Sequence, residues 1–192
     1  MNALSALSLE RKRPGKRLIA VLFSLGMSLT TQAPGESAGS FEITPPKQRL
    51  MAPAFQLPDL SAARTSLEDF RGKVVLAHFW ATFCVPCLHE IPGLQALWQE
   101  YHEQGLVILG IAADRGSVEV VRDFSEQAGV TFPVLHDADG RVRNRYEVVA
   151  LPMSYVIGRD GRISGRVIGS RDWNSPEGRQ VIEAMLQQDS AL

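Results

Sequence analysis

Residues 74–98, VVLAHFWATFCVPCLHEIPGLQALW, change hydrophobic period in mid-course. Val74 to Trp80 is a nearly continuous apolar run bounded by Gly72 and Lys73, as a central strand buried on both faces requires. From Pro86 onward, Leu88, Ile91, Leu94, Leu97, Trp98 and Tyr101 recur at three- and four-residue spacings, one face of a helix, which Gly105 stops. The seam between this strand and this helix holds the chain's two cysteines, Cys84 and Cys87.

The pattern continues outward on both sides. Leu106 to Ala112 is a second buried strand, and Val118, Val121 and Phe124 mark a second helix ending before Gly129. Phe132 to Leu135 reads as a short strand. Met153 to Ile157 and Ile163 to Ile168 flank Arg159–Arg162, whose Asp160-Gly161 pair favours a hairpin turn. Ser175 and Pro176 are an N-cap and a first-turn proline, opening a last helix with Val181, Ile182, Met185 and Leu186 inward. Upstream, Phe55 to Leu57 and Arg64 to Leu67 predict a small N-terminal hairpin. The order β-α-β-α-β, hairpin, helix predicts an α/β fold with a mixed central sheet flanked by helices. This domain is expected over residues 51–190.

Two cysteines scattered at random among 192 positions would land three apart about once in a hundred times, so the CxxC spacing carries information. At a strand-to-helix junction, Cys84 lies at the helix N-terminus, where unpaired backbone N–H groups and the dipole favour negative charge. A free thiol with a pKa of about 8.5 is only ~3% thiolate at neutral pH, whereas one near ~7 is about half nucleophile. Cys87 lies one turn along, within disulfide distance but deeper. Cys84 is therefore the expected nucleophile and Cys87 the resolving thiol, with Pro86 stiffening the ring between them. A purely structural disulfide would close too short a loop to stabilise much. Zinc would need two more ligands, and His78, His89, His102 and His136 show no ligand-pair spacing.

Bulk composition narrows the function classes. Hydrophobic residues are 45% and charged residues 21% of the chain, a globular composition. The net charge of −1 conceals an asymmetry: Arg11, Lys12, Arg13, Lys16 and Arg17 cluster before the first apolar run, against Glu10 alone. From Leu18 onward 15 basic residues face 20 acidic ones, which argues against a nucleic-acid footprint. The basic cluster and the apolar run Leu18–Leu29 form the pattern of an export signal. The run is short for a free-standing span, which needs ~20 residues, and no clean cleavage site follows it. Residues 1–33 are expected to be either a cleaved signal peptide or a retained membrane anchor, and no cysteine is present there for a lipid anchor. Residues 34–50, rich in Gly, Ser, Pro and Thr, read as a linker. Export places the cysteine pair in a periplasmic or other extracytoplasmic, oxidising compartment.

The segment from Phe79 to Pro92, FWATFCVPCLHEIP, resembles the active-site segment of the thioredoxin superfamily. More closely it is similar to the exported TlpA/ResA-like thiol–disulfide oxidoreductases, with their W-A/G-x-x-C-x-P-C-x-x-E-x-P pattern. The likeness covers about Ala52 to Ile168. It implies a thioredoxin fold with a helix-strand insertion between Ala112 and Leu135. It also implies that Leu151-Pro152 is a cis-proline loop facing the CxxC, whose backbone can pair with an extended substrate. Glu90, three residues after Cys87, is implied to exchange protons with the thiols; burial among apolar neighbours would raise its pKa as that requires. The bland alternative is a solvated helix glutamate. Trp80 is expected to shield the substrate-binding surface or simply to pack in the core, and His89 to be exposed. Pro92 removes a helix hydrogen bond and is expected to kink the helix. Asp114, Asp137 and Asp139 read as strand-end and turn residues. Val85 between the cysteines and Met153 after the proline depart from the family pattern.

The resulting expectation is an enzyme of thiol–disulfide exchange outside the cytoplasm that needs no cofactor or metal. It would reduce protein disulfides, for example in cytochrome c maturation, with electrons from a membrane thiol carrier, and touch the membrane only through its N-terminal segment. Two alternatives are a thiol peroxidase and a non-enzymatic copper carrier using the two thiols. The peroxidase needs Thr-x-x-Cys after an upstream proline; Thr82 stands two residues before Cys84 and the proline is missing.

Overall fold

The computed structural model describes residues 43–48 and 50–188, all within one compact unit spanning 37–192. The basic cluster, the apolar run and most of the expected linker lie outside the described residues. Among the described residues, no helix is long and apolar enough to cross a membrane.

The elements in chain order are β1 (Gln56–Pro58), β2 (Arg64–Ser66), β3 (Val74–Trp80), α1 (Val85–Tyr101), β4 (Leu106–Ala112) and α2 (Val118–Gln127), then β5 (Val134–His136), α3 (Arg141–Arg145), β6 (Met153–Ile157), β7 (Ile163–Ile168) and α4 (Pro176–Gln188). β1 and β2 form the expected hairpin. The remaining strands form one mixed sheet in the order β5-β4-β3-β6-β7. β3, β4 and β5 run parallel, while β6 and β7 are antiparallel to their neighbours. The two central strands, β3 and β4, are buried at every residue, which explains their unbroken apolar runs.

Alternation along β3 divides the core into two layers. Val74, Leu76 and Trp80 face α1, α2 and α4, meeting Ile91, Leu94, Leu97, Val121 and Ile182. Val75, Ala77 and Phe79 face the other way, toward Phe55, Leu57, Val142, Tyr146 and Tyr155. Each fully buried Leu or Ile contributes about 1.5–3 kcal/mol, so the layers, not helix propensity, hold the elements in place.

Two differences from the sequence expectation have a physical reason. Pro133 cannot donate to a ladder, so β5 begins at Val134, two residues after the expected start, and reaches His136. The short α3 was not foreseen, because Arg-Val-Arg-Asn-Arg offers a single apolar residue to the core. It is held by Asp137, whose carboxylate accepts the N–H groups of Val142 (3.1 Å) and Arg143 (2.8 Å). Gly105 does stop α1 and its trailing 3-10 turn, with φ at 103°. The chain before β1 lies along the edge of β7: Thr44 exchanges backbone hydrogen bonds with Arg166, and the Ile163 N–H donates to the Leu50 carbonyl.

Candidate active site

The β3 strand ends at Trp80, and the three residues Ala81, Thr82 and Phe83 carry the chain to Cys84, the N-cap of α1. Cys84 adopts an extended conformation (φ −93°, ψ 92°), and no side chain caps the helix end. Its carbonyl accepts the N–H groups of Cys87 (2.9 Å) and Leu88 (3.1 Å), which starts the helix. Pro86 falls within the first turn, where an N–H would have no intrahelical partner. The two sulfurs are joined as a disulfide, with the Cα atoms 5.3 Å apart. Cys84 is partly accessible and Cys87 is wholly buried. Flanking Cys84, Phe83 (71% exposed) and Val85 (61%) present apolar side chains to solvent.

The turn is held from below. The buried carboxylate of Asp114, just past β4, accepts the Thr82 N–H (3.1 and 3.2 Å) and the Thr82 hydroxyl (2.5 Å). The Asp114 carbonyl in turn lies 2.9 Å from His136 Nε2. Asp114 is thus a strand-end residue, as expected, but one that anchors the cysteine loop.

The Leu151–Pro152 peptide bond is cis. Met153 pairs with Phe79, so Pro152 lies level with Trp80, at the end of β3 from which the cysteine loop departs. The Pro152 carbonyl accepts the Gly169 N–H at 2.9 Å, and partly buried Leu151 packs on the same cluster as Cys84 and Cys87.

Glu90 is not a solvated helix residue: it is 3% exposed. Its Oε1 accepts the Arg171 N–H at 2.7 Å, from the loop following β7, and Ser170 of the same loop donates to the Pro86 carbonyl at 3.2 Å. Burial pushes the carboxyl up to about 7, against the downward pull of the Arg171 N–H, the Trp173 side chain and the Arg171 charge. α1 runs unbroken through Pro92 to Tyr101.

Beneath Glu90 lies a residue that sequence reasoning weighed only as a zinc ligand. His78, in the middle of β3, has no exposed surface, and its Nε2 is 3.8 Å from Glu90 Oε2. The strand register places Ser154 of β6 directly opposite, with its hydroxyl 2.9 Å from His78 Nδ1. Burial pushes the imidazole pKa down to about 3, so the ring is neutral near pH 7. The signal for it was present: one ionisable residue in an otherwise apolar, fully buried strand.

Of the two places expected for Trp80, its side chain occupies the core. It has no exposed surface and packs in the core, its ring 5.4 Å from Phe124. As the last residue of β3 it shares the parity of Val74 and Leu76 and points beneath the helices; Gly110 makes room for its indole, since a Cβ there would sit 3.1 Å from Trp80 Nε1. His89 is exposed, as expected. Among the described residues, no group of three or more His, Cys, Asp and Glu side chains converges as a metal site would need.

The profile of the AhpC/TSA family matches residues 49–166. A thiol-disulfide oxidoreductase ResA of Oceanobacillus iheyensis is 38% identical over 131 residues, covering 66% of this chain and 68% of that protein. Among solved structures, a thiol:disulfide interchange protein of the thioredoxin family from Chlorobium tepidum superposes with a TM-score of 0.65 at 25% identity, over 73% of this chain and 99% of the other. The thioredoxin domain of a thiol-disulfide oxidoreductase from Bacteroides vulgatus gives 0.64 at 25% identity, over 72% and 96%. The fold expected from the sequence is the fold of these neighbours.

Proposed function

The chain belongs to the AhpC/TSA family of the thioredoxin superfamily and is a thiol–disulfide oxidoreductase, and on that premise we propose that Cys84 and Cys87 carry the exchange, as a reductant of protein disulfides outside the cytoplasm. The observation that carries this reading is the unequal burial of two bonded sulfurs at a helix N-terminus, one reachable and one enclosed.

In the dithiol state, the Cys84 thiolate attacks one sulfur of a substrate disulfide. The substrate S–S bond breaks, one substrate thiolate leaves, and a mixed disulfide forms on Cys84. Cys87 then gives its proton to the Glu90 carboxylate and attacks the Cys84 sulfur, releasing the second substrate thiolate and restoring the disulfide. Two electrons pass to the substrate. The base for this step should titrate near the working pH, which the burial of Glu90 supports. The Leu151 backbone, set by the cis bond to Pro152, is where an extended substrate segment can pair, and Phe83, Val85 and Pro86 form an apolar rim. A peroxidase would aim a threonine hydroxyl at its attacking sulfur; here the Thr82 hydroxyl is taken up by Asp114.

The basic cluster and apolar run of residues 11–29 support export, with delivery to a membrane where a thiol carrier returns the electrons. Cytochrome c maturation, which needs reduced cysteine pairs, is a fitting destination. The test is a pair of variants. Cys84→Ser is expected to abolish reduction of a protein disulfide, and Cys87→Ser to accumulate a mixed disulfide visible by mass. Residual activity in Cys84→Ser would refute the assignment. A reduction potential near about −270 mV fits a reductant and one near about −120 mV an oxidant.

A further inference from the structure

One buried group that the exchange mechanism leaves unused is His78. It has no exposed surface, its Nδ1 is engaged by the Ser154 hydroxyl at 2.9 Å, and its Nε2 makes no hydrogen bond while lying 3.8 Å from Glu90 Oε2. A side chain this far inside a strand is a costly place for an imidazole unless both nitrogens are used. We propose that His78 is a positioning residue for Glu90, a neutral imidazole whose tautomer is fixed by Ser154 so that its Nε2–H supports the carboxylate form of the proton acceptor. The proposal rests on the exchange reading above and deepens it.

The chemistry follows from the two ring nitrogens. When Glu90 is a carboxylate, Nε2 carries the proton and points it at Oε2, while Nδ1 accepts from the Ser154 hydroxyl. When Glu90 holds the proton released by Cys87, Nε2–H faces a neutral carboxyl oxygen, a weaker acceptor, and the ring keeps its tautomer. Ser154 fixes this tautomer because its hydroxyl can donate to Nδ1. The ring stays uncharged throughout, and the proton count of the site changes only at Glu90 and Cys87. At 3.8 Å the pair is longer than a hydrogen bond, and closing it requires the carboxyl to turn toward the ring about its Arg171 contact. The other groups facing Glu90 are few. The Arg171 N–H and charge and the Trp173 side chain lie on the loop after β7, and Cys87 lies on its own helix. His78 approaches it from β3.

A hydrogen bond to a charged group is worth more than one to a neutral group, so removing the imidazole should disfavour the carboxylate. In His78→Leu the Glu90 midpoint, read by carbon-13 carboxyl NMR of the full-length oxidised protein, is expected to rise by about one pH unit, tenfold in proton affinity. His78→Gln, which offers a donor and an acceptor, should recover most of the shift. Ser154→Ala, which leaves β6 intact, should move the midpoint the same way by less. The pH profile of mixed-disulfide resolution should shift in parallel, and that shift should vanish when Glu90→Gln is the background. An unmoved Glu90 midpoint in folded His78→Leu and Ser154→Ala would overturn the proposal. So would a kinetic shift that persists without Glu90. Activity surviving in Cys84→Ser would instead remove the exchange reading itself, so the two failures are distinct.

Discussion

Asp114 shows how much of the cysteine loop depends on one side chain away from the sulfurs. Its carboxylate satisfies both the backbone N–H and the hydroxyl of Thr82, two residues before the attacking sulfur. Asp114→Ala leaves that N–H without a buried partner, a loss of about 1–3 kcal/mol. We expect urea denaturation to show a decrease of that size, and exchange to slow because the turn no longer fixes Cys84. A stability loss below about 0.5 kcal/mol would mean water replaces the carboxylate. From sequence, Asp114 read as a strand-end residue, which it is; its partner was not legible, because thirty-two residues separate the two. His78 shares that history. A lone ionisable side chain in a seven-residue apolar strand is visible in the sequence, yet what it faces depends on the crossing of α1 over β3. The same parity that hides Trp80 beneath the helices brings His78 to Glu90.

At the scale of elements, legibility followed the length of the periodic signal. β3 and β4 are seven residues each and α1 is seventeen, long enough for period to decide type. α3, with five residues and one buried side chain, has no period to read and owes its existence to a cap outside its own sequence. Asp137 provides that cap, accepting two N–H groups of the first turn. Asp137→Ala is expected to cost about 0.5–2 kcal/mol. The loss should be local: amide exchange should quicken at Val142 and Arg143 and leave the central strands protected. Equal acceleration in β3 would show that α3 is part of the cooperative core instead. The CxxC helix needs no such external cap, since its anchoring comes from the Thr82 turn and from the loop that bonds Pro86 and Glu90.

For the whole molecule, the buried His78–Glu90 pair predicts a stability profile that neither residue would give alone. Glu90 is raised from 4.5 to about 7 in the folded protein, so its contribution is present below pH 4.5 and is lost as pH rises through about 7. His78 is lowered from 6.5 to about 3, so its contribution is present above pH 6.5 and is lost as pH falls toward about 3. Between these limits the folded pair holds one proton, on Glu90, and the unfolded pair also holds one, on the histidine. The two dependences, each about 1.4 kcal/mol per pH unit, therefore cancel over the window from 4.5 to 6.5. Removing either member should expose the other. In Glu90→Gln the oxidised protein should gain about 2–3 kcal/mol relative to wild type on going from pH 4.5 to 6.5, and in His78→Leu it should lose as much. All remaining groups titrate alike in the three proteins, so differences between urea-derived stability curves isolate the pair. Variant curves parallel to wild type across that window would mean that the two buried groups do not share a single proton.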